Sequence, residues 1–156
     1  MAFSIKEIID LAVQIEETGH EFYSACEKKF ADQKFKDLFS FLSGEELKHK
    51  KTFLAMRDQN YSLEGAFDED YHRYLKAIGG SKIFVRRGNV KKLMDEISSP
   101  VEAIQQALAD EKQSILFYGE LKPLYPLGKE AWTLLDKIMD EERSHVKMLI
   151  QLLEKE

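Results

Sequence analysis

The chain has 156 residues, 44% of them apolar and 33% charged, with a formal charge of −5. That length suits a single domain, residues 1–156, around one sizeable core, and the acidic balance argues against binding nucleic acid or an anionic membrane surface. One cysteine, Cys26, excludes an internal disulfide or a four-cysteine metal site, and no leader or bilayer-length apolar run is visible, so a soluble protein of the reducing cytoplasm is expected.

Ser4-Ile-Lys-Glu7 reads as a capping box, with the serine oxygen accepting from the Glu7 amide while the glutamate reaches back. A first helix over about 4–31 follows, its inward stripe running Ile5, Ile9, Ala12, Glu16, Gly19, Tyr23, Cys26 and Phe30. A second, over 33–57, carries Phe35, Leu38, Leu42, Glu46, His49, Phe53 and Met56 on one face.

From Asp58 the pattern loosens. Residues 58–98 mix polarity, hold Gly65, Gly79, Gly80 and Gly88, and contain only short apolar runs such as Ile83-Phe84-Val85. So long a connection is expected to cross over along a bundle or to serve the function, with short helices at 71–78 and 90–97.

Regular structure restarts at Ser99-Pro100-Val101-Glu102, with serine as N-cap, proline at the first helical position and glutamate three residues after the cap. The third long helix, over 99–122, is expected to turn Val101, Ile104, Leu108, Glu111, Ile115 and Tyr118 inward. Pro123, Pro126 and Gly128 break the chain before a fourth, over 129–154, with the stripe Leu135, Ile138, Glu142, His145, Leu149 and Leu152.

All four histidines follow a glutamate by three residues: Glu17 precedes His20, Glu46 His49, Glu69 His72 and Glu142 His145. Spacing alone therefore selects nothing. Two pairs, Glu46/His49 and Glu142/His145, stand in the middle of apolar stripes, and the pattern around them repeats. Glu16 and Tyr23 recur as Glu111 and Tyr118 after 95 positions, and Glu46 and His49 as Glu142 and His145 after 96.

Four antiparallel helices of ~38 Å would bring these four glutamates to similar depth. Burying four ionised carboxylates together is costly unless they are protonated, hydrated or metallated. Two divalent ions would neutralise them, with two neutral imidazoles completing the donor set, and oxygen-rich ligation with imidazole suits iron, with manganese as the alternative, better than zinc.

The motifs Glu16-Glu-Thr-Gly-His-Glu-Phe-Tyr23, Glu46-Leu-Lys-His49, Glu111 through Tyr118 and Glu142-Arg-Ser-His145 resemble those of the rubrerythrin-related branch of the ferritin-like superfamily. The resemblance spans essentially the whole chain and implies an all-α, ferritin-like antiparallel four-helix bundle with a long crossover between its second and third helices. It implies that Glu46 and Glu142 bridge two iron ions, that Glu16 and Glu111 are terminal carboxylates, and that His49 and His145 each bind one ion. Two departures stand out. Full rubrerythrins carry a cysteine-ligated rubredoxin-like domain, for which this sequence lacks the cysteines, and they usually place a glutamate where Ser114 stands, which puts their characteristic peroxidase mechanism in question.

The function expected is that of a di-iron oxidoreductase reacting with hydrogen peroxide or dioxygen, as a peroxidase or ferroxidase, in a homodimer served by a separate electron-donor protein. Non-catalytic iron binding or storage, and an inactive helical interaction module, are the alternatives. His20, Tyr23 and Tyr118 are candidates for supporting contacts to the ligands, against plain packing. His72 reads as a loop residue, and Glu45 and Glu141, turned about 100° from the neighbouring bridging carboxylates, need not be ligands.

Overall fold

The computed structural model describes residues 5–59, 69–80, 90–125 and 129–156. Four long helices dominate: α1 (Ile5–Lys29), α2 (Gln33–Asp58), α5 (Pro100–Leu121) and α6 (Glu130–Glu154), with two shorter ones, α3 (Glu69–Gly80) and α4 (Val90–Glu96), between α2 and α5. A 3-10 turn, Lys122–Leu124, ends α5. Among the described residues there is no strand, and the long helices form the antiparallel bundle expected, α1 packed along α2 and α5 along α6.

Local chemistry sets the ends. Asp32 caps α2 by accepting from the Lys34 amide at 3.1 Å. Ser99 caps α5, accepting from the Glu102 amide at 3.2 Å, while the Glu102 carboxylate reaches past the cap to accept from the Ser98 amide at 2.8 Å. One of the amides that the helix start leaves unpaired is thereby satisfied, and the residue entering the cap is pinned as well. The expected capping box at Ser4, the chain break at Pro126 and Gly128, the apolar run 83–85, Gly65 and Gly88 lie outside the described residues.

The described parts of the crossover are docked against the bundle. Leu75 of α3 is fully buried, and the Tyr71 hydroxyl donates to the Glu120 carbonyl at 2.8 Å. Leu93 and Met94 of α4 are buried, and Lys29 from the end of α1 donates its ammonium to the Met94 and Ile97 carbonyls. His72 is not in a loop: it sits on α3, 4% exposed, with Nε2 3.4 Å from Glu7. Its position outside any apolar stripe misled the sequence reading, because α3 as a whole is laid against α1 and α5.

Burial also widens or turns two expected stripes. On α1, Ile8, Ile15 and Phe22 are buried as well, because this helix meets α2, α3 and α4 and so hides more than one face. On α5 the buried set is Ala103, Ile104, Ala107, Asp110, Glu111, Ser114, Phe117, Tyr118 and Leu121, while Val101, Leu108 and Ile115 are only half-buried. Small residues occupy the inner face there, against Phe22, Tyr23 and Phe39 in the same cluster.

The core is two apolar clusters with a polar layer between them. One gathers Ile8, Ile15, Phe53, Phe117 and Leu135 among others; the second gathers Phe22, Phe35, Phe39, Leu42, Ile104 and Leu149. On each long helix the candidate ligands fall between residues of the two: Glu16 between Ile15 and Phe22, Glu46 and His49 between Leu42 and Phe53, Glu111 between Ala107 and Phe117, Glu142 and His145 between Ile138 and Leu149.

Candidate metal centre

All six candidate ligands lie in this layer, none more than 4% exposed. They form two overlapping groups. In the first, Glu16, Glu46, His49 and Glu142 each offer a donor atom, and in the second Glu46, Glu111, Glu142 and His145 do; within each group these atoms all lie within 4.8 Å of one another. Glu46 and Glu142 belong to both, and the two imidazole rings lie nearly parallel with centroids 5.8 Å apart. The arrangement offers two adjacent four-donor positions that share two carboxylates.

The donors face inward. His49 Nδ1 is 2.8 Å from Glu142 and 3.6 Å from Glu16, and His145 Nδ1 is 3.7 Å from Glu111 and 3.8 Å from Glu142. Yet His49 Nδ1, His145 Nδ1, Glu111 Oε2 and Glu142 Oε1 are buried atoms that meet no hydrogen-bond geometry. Lone pairs left so in a protein interior are costly, and a cation at their focus removes the cost. Without one, protons must do the work: burial would lower the His49 pKa, but the charges of Glu16 and Glu142 outweigh it and push the imidazole up to about 11. A donor set of four carboxylates and two imidazoles therefore fits a pair of divalent ions in charge and in kind.

The remaining lone pairs are held crosswise. The Tyr23 hydroxyl, on α1, donates to Glu111 of α5 at 2.7 Å, and the Tyr118 hydroxyl, on α5, donates to Glu16 of α1. Burial first, then nearby carboxylate charge, raises both phenol pKa values well above 10, so each remains a donor. The packing role and the hydrogen bond coexist, since the Tyr23 ring stacks on Phe39 and the Tyr118 ring packs at a tilt against Phe53.

Gly19 makes room. A Cβ on it would lie 2.5 Å from Glu46 Oε2, so only glycine lets the carboxylate of α2 approach α1 here. Its counterpart 95 positions on is Ser114, buried and hydrogen-bonded to the Tyr118 hydroxyl. His20 does not join the donor groups. Its Nδ1 meets the Ser43 hydroxyl at 2.8 Å and the Ser43 carbonyl at 2.9 Å, which ties α1 to α2 beside the site.

Glu45 and Glu141 stand on the far side of the two imidazoles from the six-residue cluster. The His49 Nε2–H donates to Glu141 at 2.7 Å, and Glu45 lies 3.8 Å from His145 Nε2. A helical wheel places these carboxylates about 100° from Glu46 and Glu142, but an imidazole carries its second nitrogen on the opposite side of the ring, where a residue of the facing helix can reach it. Glu45 also accepts from Lys48 at 2.7 Å; burial acts to raise its pKa, but Lys48 and the two histidines prevail and lower it. A cavity of about 180 Å³ opens here, lined by Glu45, Lys48, His49, Lys137 and Glu141 among others.

The rubrerythrin family model matches residues 7–153. This chain belongs to the rubrerythrin family. It superposes on a solved chain from Thermotoga maritima, described as a ferritin-like diiron-carboxylate protein, with a TM-score of 0.70 and 25% identity over 97% of this chain and 95% of that one. It is also 36% identical over 64 residues to an uncharacterised protein of Archaeoglobus fulgidus, a stretch covering 37% of this chain and 98% of that protein. Family, fold and buried carboxylate and imidazole groups together support di-iron binding. No helix among the described residues is long and apolar enough to cross a membrane.

Proposed function

We propose that the protein is a di-iron oxidoreductase whose two ions are held by Glu16, Glu46, His49, Glu111, Glu142 and His145, and that it reduces hydrogen peroxide or dioxygen. The observation that carries this reading is the pair of four-donor groups sharing Glu46 and Glu142. Glu46 and Glu142, common to both groups, would hold the two ions side by side, and a bound iron pair would supply two electrons, enough to take hydrogen peroxide to water or dioxygen to hydrogen peroxide.

The chain's own residues do the rest. Tyr23 and Tyr118 each occupy one oxygen of a terminal carboxylate, which leaves the other for metal and keeps Glu111 and Glu16 from swinging. The apolar clusters above and below exclude bulk water, so charge interactions inside the layer are strong. The cavity beside His49 is a route by which a molecule as small as peroxide reaches the layer. In this reading the reducing equivalents come from a separate donor protein, the working unit is a homodimer in the cytoplasm, and iron is preferred to manganese.

Anaerobic metal analysis followed by optical spectra during oxidant addition tests the proposal. About two ions per chain are expected, with a charge-transfer absorption that rises on adding peroxide or air. Ferrous protein left spectroscopically unchanged by both oxidants would refute the redox reading. Sizing the native particle separates it from storage, which requires a cage-like assembly.

A further inference from the structure

Glu45 and Glu141 are related to each other by the same 96-residue offset as the shared carboxylates Glu46 and Glu142, which they immediately precede. The relation is also reciprocal in space: Glu141 of α6 meets the ring of His49 on α2, and Glu45 of α2 approaches the ring of His145 on α6. Both contacts fall on Nε2, and in both rings Nδ1 is the atom turned toward the six-residue cluster. We propose that Glu141 and Glu45 are positioning residues, each fixing the ligand imidazole of the opposite half with Nδ1 aimed at its ion, and that Glu141 does so more firmly.

The chemistry is direct. A carboxylate on Nε2 holds the proton there, leaves the Nδ1 lone pair for a cation, makes that nitrogen more basic and stops the ring from rotating. The inequality has a visible cause. Glu141 places one oxygen 2.7 Å from His49, and its nearest cation, Lys137, is 3.9 Å away. Glu45 is already committed to Lys48 at 2.7 Å and stands 3.8 Å from His145. The two metal positions, alike in their six ligands, therefore differ in the support behind their histidines, the His49 position being the stiffer.

This inference rests on the dinuclear reading above, and cobalt(II) titration of the full-length, metal-stripped chain tests the two separately. The unsubstituted protein should take up two cobalt ions per chain with visible d–d bands. Glu141→Ala should weaken one of the two binding steps ~10–100-fold and alter part of the band envelope, leaving the other step in place. Glu141→Gln, which still accepts the hydrogen bond but carries no charge, should fall between, and Glu45→Ala should weaken the other step by less. The melting temperature of the metal-free variants checks that they fold; a merely structural role would change it without singling out one ion. Unchanged stepwise affinities and spectra in both alanine variants, beside a parent that binds two ions, would overturn the positioning roles while sparing the dinuclear centre. A parent that binds no cobalt pair would overturn both.

Discussion

The first half of the chain, α1 and α2, and the second, α5 and α6, supply the same donors in the same order but do not support them in the same way. Glu16 with Tyr23, and Glu46 with His49, answer Glu111 with Tyr118, and Glu142 with His145. Around that shared frame the halves diverge. Where the first has Gly19, pressed against the Glu46 carboxylate, the second has Ser114, bonded to a tyrosine. Where the first has His20, tied to Ser43, the second has the half-buried Ile115. A repeated ligand pattern fixes where charge is concentrated; the unrepeated neighbours decide how tightly each ligand is held.

The comparison breaks most visibly at the residues both positions share. Glu142→Ala removes a donor from each of the two groups, so metal content by elemental analysis should fall from about two ions per chain to near none. Glu111→Ala removes a donor from one group only and should leave one ion. Equal loss in the two variants would show that the groups do not act as two positions.

The crossed tyrosines come next. Tyr118→Phe strands an oxygen of Glu16 in the interior, at a cost of about 2 kcal/mol in chemical denaturation, and Tyr23→Phe should match it within a factor of about two. A large inequality between them would place the asymmetry in the carboxylates rather than in the histidines.

Gly19→Ala sharpens the contrast further. Alanine favours a helix over glycine by about 1 kcal/mol, which offsets much of the strain of moving the end of the Glu46 side chain. The metal-free protein should therefore keep its melting point to within a few degrees, while metal affinity, read by competition with a chelator, falls about tenfold as Glu46 is displaced. Ser114→Ala adds no bulk, and its effect on affinity should be several times smaller. Outside the site, Ser99→Ala removes the α5 cap and should cost about 1 kcal/mol of stability with no change in metal binding.

Much of this was legible in the chain because buried charge in an apolar stripe is a conspicuous conflict. Glu16, Glu46, Glu111 and Glu142 each interrupt such a stripe, and only a fold that gathers them makes sense of that. The crossed Tyr–Glu bonds were half-visible: the tyrosines recur with the glutamates, but nothing in a linear pattern says that each serves the opposite half. Glu45 and Glu141 stayed hidden because their role depends on the width of an imidazole ring on a facing helix, a distance no helical periodicity encodes. The face of α5 was misjudged for the opposite reason. Ala103, Ala107 and Ser114 are weak signals in a hydrophobic pattern, yet small residues are what the inner face of that helix uses. His72 shows the limit in the crossover, where a short helix buries a histidine by docking rather than by its own amphipathic stripe.

The crosswise tyrosine bonds carry a consequence for what counts as a complete unit. A lone hairpin made of α1 and α2 would hold a glutamate, a tyrosine and a Glu-x-x-His pair, but its Tyr23 would have no acceptor and its Glu16 no donor from the other half. Two copies of one hairpin, meeting about a two-fold axis, would satisfy each other's needs in turn. The single polypeptide thus has the internal logic of a symmetric pair joined end to end, in which neither half is complete without the other.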